Sequence, residues 1–192
     1  MQGAHCLNFW YTAPMSRGGF VNVFLLFVAV GAYYLFILKG KNNGQTALAY
    51  RAQQLMNSGC LEVYLLYGSK GVGLSHQPVS HGSVWSFLNT GFLAYLQGQD
   101  LVIEFPWWKN MRPLQVLDPQ KHQITRSAFT YVRKRHPALQ IGDQTYVVVG
   151  KNVYDQTQVK AALNMKNSEY IDELTTSLSE SLQAAGFNVL QK

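Results

Sequence analysis

Acidic residues are scarce in this chain: ten Asp and Glu stand among 192 residues, against sixteen Lys and Arg. The few carboxylates are scattered, so no paired acid and base can be picked out for catalysis. Cysteine is scarcer still. Cys6 and Cys60 stand on opposite sides of the apolar run Gly19–Leu38, so no disulfide framework is expected. His76 and His81 are five apart, but no third ligand stands beside them, and a zinc centre needs three or four. Nucleotide-binding order is missing too. In Gly68-Ser69-Lys70-Gly71-Val72-Gly73 the lysine falls between the glycines, and no Ser or Thr follows it directly. The net charge of +6 is diluted in the same way. Arg17, Lys39 and Lys41 carry half of it, leaving thirteen cations against ten acids beyond residue 41. That surplus of three is too small and too dispersed for a nucleic-acid-binding domain.

What the chain does have is one long apolar run. Gly19–Leu38, GFVNVFLLFVAVGAYYLFIL, contains no Asp, Glu, Lys, Arg or His. Twenty residues at a helical rise of ~1.5 Å span about 30 Å, the thickness of a bilayer's hydrocarbon core. A cleaved signal would show a shorter run followed by a small-x-small site; Lys39-Gly40-Lys41 follows here instead. The sequence therefore predicts a single-pass membrane protein with four parts: an N-terminal arm over 1–18, a transmembrane helix over 19–38, a linker over 39–44, and a soluble domain over 45–192. Lys39, Lys41 and Arg51 after the span against Arg17 before it leave the side of the soluble domain undetermined. Asn22, Gly31 and Ala32 are the candidates for helix–helix contact within the span, since small and polar residues favour such contacts.

The fold class expected is α/β (α+β): one N-terminal transmembrane helix followed by one small mixed domain of about five strands and four or five helices. Thr46–Asn57 has a helical apolar stripe, and Asn57-Ser58-Gly59 supplies its stop. Leu61–Tyr67 and Asp100–Phe105 are β-rich runs, within which alternation would turn Glu62 and Glu104 outward. Val84–Gln97 is expected as a helix with a wide apolar face, and Leu114–Leu117 as a short strand. Asp118-Pro119 reads as cap and first residue of a helix running to Arg135. Ala138–Ile141 and Thr145–Val149 flank Gly142-Asp143-Gln144 as a hairpin. Asn167 or Ser168 caps a last helix with Ile171, Leu174, Leu178, Leu182 and Ala185 inward; Gly186 ends it before a strand over Phe187–Leu190.

The densest cluster of chemistry lies between Phe105 and Arg135. Trp107, Trp108, Lys109 and Arg112 share a proline-bounded stretch, and Arg133-Lys134-Arg135 closes the segment. Three readings apply: headgroup contact at the membrane, a protein interface anchored by Trp and Arg, or core tryptophans with cations complementing a helix C-terminus. The function expected is a non-enzymatic, membrane-anchored assembly subunit of a larger membrane complex, its soluble domain a docking or scaffold surface. Its partners would be other subunits and the lipid bilayer. No cofactor, metal, nucleic acid or small-molecule substrate is expected. A membrane-tethered enzyme of unknown chemistry is a further alternative.

One local pattern carries a resemblance. Ser16-Arg17-Gly18-Gly19-Phe20 leading straight into the apolar run resembles the processing site of type IV pilins and pseudopilins. The resemblance covers about twenty residues and implies cleavage after Gly19, an N-terminal Phe20, and an apolar helix that packs into a filament or secretion-system assembly. The fifth residue after that cleavage, usually Glu in the family, is Phe24 here.

Overall fold

The computed structural model describes residues 17–72, 78–80, 91–107, 109–131 and 133–191. The chain divides into two compact units, Met1–Phe36 and Ile37–Lys192. A single helix, α1 (Arg17–Asn57), runs through 41 residues. Residues 39–44, expected as a linker, are helical. Thr46 Oγ1 donates to the Asn42 carbonyl at 3.0 Å, and Gly44 and Gln45 are already buried, so tertiary packing overrides the weak helix propensity of Gly and Asn.

The larger unit is a mixed α/β domain built on one main sheet. Its strands are β1 (Val63–Gly68), β4 (Gly91–Gln97), β5 (Asp100–Trp107), β6 (Asn110–Leu117), β7 (Gln123–Tyr131), β8 (Lys134–Ile141), β9 (Gln144–Lys151) and β10 (Asn188–Leu190). Their order is β10-β7-β8-β9-β1-β4-β5-β6. All neighbours are antiparallel except β10, which runs parallel to β7. A separate two-stranded ribbon pairs β2 (Lys70–Val72) with β3 (Pro78–Ser80). Two more helices follow β9: α2 (Gln156–Ala162) and α3 (Ser168–Ala184).

At its centre, over β9, β1, β4 and β5, the sheet is apolar and buried on both faces. Period-two alternation sends Val63, Leu65, Leu93, Val102, Val147 and Val149 to one face, where Leu48, Ala49, Ala52 and Leu55 of α1 and Val159 of α2 meet them. The other face carries Tyr64, Leu66, Phe92, Ala94, Leu101, Ile103, Tyr146 and Val148 against Leu174, Leu178 and Leu182 of α3. Gly91 permits the close approach of α1: a Cβ there would lie 3.1 Å from Leu48 Cδ1.

Two expected helices are corrected. Within Val84–Gln97, residues 91–97 form β4, and 84–90 lie outside the described residues. The apolar breadth taken for a helix face comes from a strand buried on both sides. Asp118-Pro119 starts a turn, not a helix to Arg135: Asp118 Oδ1 accepts from the Gln120 N–H at 2.9 Å, and its carbonyl accepts from Lys121 and His122. The β-branched and aromatic residues Ile124, Thr125, Phe129, Thr130 and Tyr131 then extend as β7. The helix capped by Asn167, its end at Gly186 (φ 97°), and the hairpin turning at Gly142 (φ 60°) agree with the sequence. Helix α2, capped by Asp155 Oδ1 at 2.8 Å from the Gln158 N–H, is an element the sequence reading passed over.

Glu104 does not point outward. It is 6 % exposed on the α1 face, where Arg51 grips it with Nε to Oε2 at 2.9 Å and Nη2 to Oε1 at 2.8 Å. The Tyr95 hydroxyl donates to the same Oε1 at 2.8 Å, and Arg51 Nη2 donates to that hydroxyl at 3.3 Å. Replacing Arg51 with Leu alone strands a buried carboxylate. It is expected to destabilise the full chain by about 3 kcal/mol, the low end for a broken buried pair because the guanidinium keeps solvent contact. Pairing Arg51→Leu with Glu104→Leu should recover most of that loss. Thermal unfolding of both variants in mild detergent measures the difference.

Candidate functional site

Three features carry chemistry: the apolar stretch of α1, the basic hairpin ends, and a polar cluster beside α3. On α1, every described side chain from Val23 to Leu35 is exposed, including Phe24 at 66 % and Phe27 at 70 %. Among the described residues no helix is long and apolar enough to cross a membrane. The described run of thirteen residues is ~20 Å long. Gly31 and Ala32 lie within it, both exposed, and a Cβ at Gly31 would meet nothing within 4 Å. The Asn22 side chain lies outside the described residues.

The aromatic-basic segment is divided between two hairpins. Trp107 ends β5, half-buried, its ring 6.3 Å from that of Phe105 at the rim of the α3-side core. Lys109 is exposed in the turn that follows, and Arg112 is exposed on β6; Trp108 lies outside the described residues. Arg133, with φ 63°, occupies the β7–β8 turn, and Lys134 and Arg135 open β8, all three exposed. They complement no helix C-terminus, because no helix is there. Strands β9, β1 and β4 stand between β8 and β5, so the six described residues form two patches. Beyond the three register pairs of β8 with β9, the β7–β8 hairpin continues without β9. Phe129 and Tyr131 there pack against Tyr67, tilted and edge-on, with centroids 6.0 and 5.5 Å away.

In the glycine-rich stretch Gly68 ends β1 and Lys70–Val72 form β2, while Gly73 lies outside the described residues. A Cβ at Gly68 would collide with Gln144 and Phe92, and Lys70 pairs with Asp143 at 2.9 Å. His76 and His81 lie outside the described residues. Among those described, no three His, Cys, Asp or Glu side chains come together.

Sequence reasoning missed the cluster around Glu62. Its carboxylate accepts from Lys151 Nζ at 2.5 Å, from Ser181 Oγ at 2.6 Å and from the Tyr64 hydroxyl at 2.7 Å. Lys151 also donates to Ser177 Oγ at 3.1 Å. The only sequence signal was an acid at the mouth of a strand and a serine-rich helix facing it. Beside it opens a cavity of about 410 Å³ lined by Cys60, Glu62, Tyr64, Leu96, Leu178 and Ser181. Burial opposes the charge on Glu62, but the donors from Lys151, Ser181 and Tyr64 outweigh it and hold the carboxyl at about 2. Lys151 is pushed up by its bond to Glu62. The cluster ties α3 to β1 and β9.

Scans against family models, curated proteins and solved structures find no match to this chain.

The Glu62 cluster sets an acid limit on stability. Folding lowers the carboxyl from its ordinary 4.5 to about 2, so between these values the unfolded chain binds more protons. Stability from this group is present above about 4.5 and is lost as pH falls through about 2. Glu62→Gln should flatten the acid limb of the unfolding-midpoint-versus-pH curve, and an unchanged limb would count against the network.

Proposed function

We propose that this chain is a membrane-anchored assembly subunit, with Gly19–Leu38 lodged in a bilayer and the α/β domain serving as docking surface. One observation carries the reading. From Val23 to Leu38, eleven large apolar side chains of α1 are 40 to 70 % exposed. A water-facing surface of that size and continuity needs a cover. Hydrocarbon fits it better than a groove, because the exposed residues run around the whole helix and not along one stripe. The basic hairpin ends support the docking role: Lys109, Arg112, Arg133, Lys134 and Arg135 are exposed and form no ion pair among the described residues.

A filament-subunit reading is favoured by a specific observation. The pilin-like leader pattern calls for a long helix after Phe20, and α1 continues unbroken through residues 39–44 to Asn57.

Replacing Phe27 and Val28 together with Asp introduces two charges, each costing about 3 kcal/mol near the middle of a span. The variant is expected in the aqueous fraction after detergent-free lysis, with the native chain in carbonate-washed membranes. A native chain that stays aqueous sinks the anchor.

Affinity purification from native membranes tests partners and processing together. Lys109→Glu with Arg112→Glu should strip co-purifying subunits while shifting stability by less than about 0.5 kcal/mol. The intact mass separates the two readings: a chain beginning at Phe20 selects the filament subunit, and one retaining the first nineteen residues excludes it.

A further inference from the structure

On the α1 side of the sheet, an open cavity of about 630 Å³ is bounded by Lys41, Asn42 and Gln45 of α1, Tyr131 of β7, and Lys160 and Asn164 at the end of α2. Its volume is that of a small-molecule site, within ~300–1,000 Å³. No carboxylate lines it among the described residues. Lys41 and Lys160 form no ion pair among the described residues. Gln45 is 6 % exposed, and its Oε1 has no hydrogen-bond partner among the described residues. An orphaned buried acceptor is unfavourable unless something donates to it. The cavity therefore offers two cations to an anion and one acceptor to a donor.

Chain position narrows the ligand. Lys41 comes three residues after Leu38, within one helical turn of the end of the proposed span, where cations and tyrosines meet the headgroup layer. We propose that this cavity holds the headgroup of an anionic phospholipid of the phosphoglycerol type, its phosphodiester against Lys41 and Lys160 and a glycerol hydroxyl donating to Gln45 Oε1. The inference rests on the bilayer reading of Gly19–Leu38. A phosphocholine headgroup has the same phosphodiester but no O–H or N–H donor and no net negative charge, so it should fit poorly.

The test uses the full chain in mild detergent, with bound lipid counted by native mass spectrometry after addition of phosphatidylglycerol or phosphatidylcholine. The native chain should retain phosphatidylglycerol about tenfold better. Lys41→Gln with Lys160→Gln should abolish that preference. Gln45→Leu should lower it while thermal unfolding shows the fold kept. Equal retention of the two lipids, or an unchanged preference in the lysine variant, would overturn the proposal. Inorganic phosphate that displaces the lipid at millimolar concentration would also overturn it, by assigning the cavity to a soluble anion. Failure of the anchor is separately visible: the chain then stays in the aqueous fraction without detergent, whatever it binds. A membrane-bound chain with no lipid preference removes the cavity proposal alone.

Discussion

The grip of Arg51 on Glu104 sets the rotation of α1 about its own axis, and much of the domain follows from that. A bidentate guanidinium–carboxylate pair fixes direction as well as distance. With Arg51 turned toward β5, the helical repeat carries Leu48, Ala52 and Leu55 onto the sheet. The small side chains of Ala49 and Ala52, with Gly91 opposite Leu48, let helix and sheet approach closely. The same repeat read backwards passes through Gln45 and Lys41, so the stripe that faces the domain changes from apolar to polar toward the N-terminus. The cavity begins where that change occurs. A pair of charges chosen for stability alone would be a poor choice, since a well-packed apolar pair is often as stable; its value here is orientation.

The parts legible in the sequence are those where local signals and tertiary context agree. Asn167, the stripe Ile171–Leu174–Leu178–Leu182 and Gly186 each follow from neighbours within a turn, and α3 was therefore readable from end to end. The β8–β9 hairpin was readable because Gly142 supplies the left-handed residue its turn requires. Where the fold went against expectation, long-range packing decided. Phe92-Leu93-Ala94-Tyr95 shows no alternation because helices cover both faces of β4, and a doubly buried strand cannot be told from a buried helix by periodicity. Residues 39–44 have poor helix propensity, yet Gly44 and Gln45 are buried within α1. Glu104 sits in an apolar strand whose alternation is correct; its partner lies 53 residues away, beyond any local rule.

The candidate surfaces were legible as composition and not as geometry. Trp107, Lys109, Arg112 and the Arg133–Arg135 cluster are close in sequence, but the sheet assigns them to different hairpins. Trp107 is drawn into the core rim by Phe105, whereas the cations stay in solvent. The Glu62 cluster was illegible for the opposite reason: Glu62 lies 89 residues from Lys151 and 119 from Ser181, and they meet only when α3 lies on β1 and β9.

How such a domain would meet a partner is constrained by its edges. Strand β10 is three residues long and offers little template for strand addition. Strand β6 is longer, but Pro113 removes a backbone donor from its ladder, Arg112 places a charge beside it, and the register of β5 with β6 shifts between Ile103 and Glu104. These are the devices by which sheet edges resist pairing with other chains. Backbone-mediated association is thereby disfavoured, and under the docking proposal recognition would fall to side chains at the hairpin ends. Contacts of that kind are governed by charge and are screened by salt over about 8–10 Å. Assembly through them would be oriented and reversible, in contrast to the hydrocarbon-scale attachment proposed for α1.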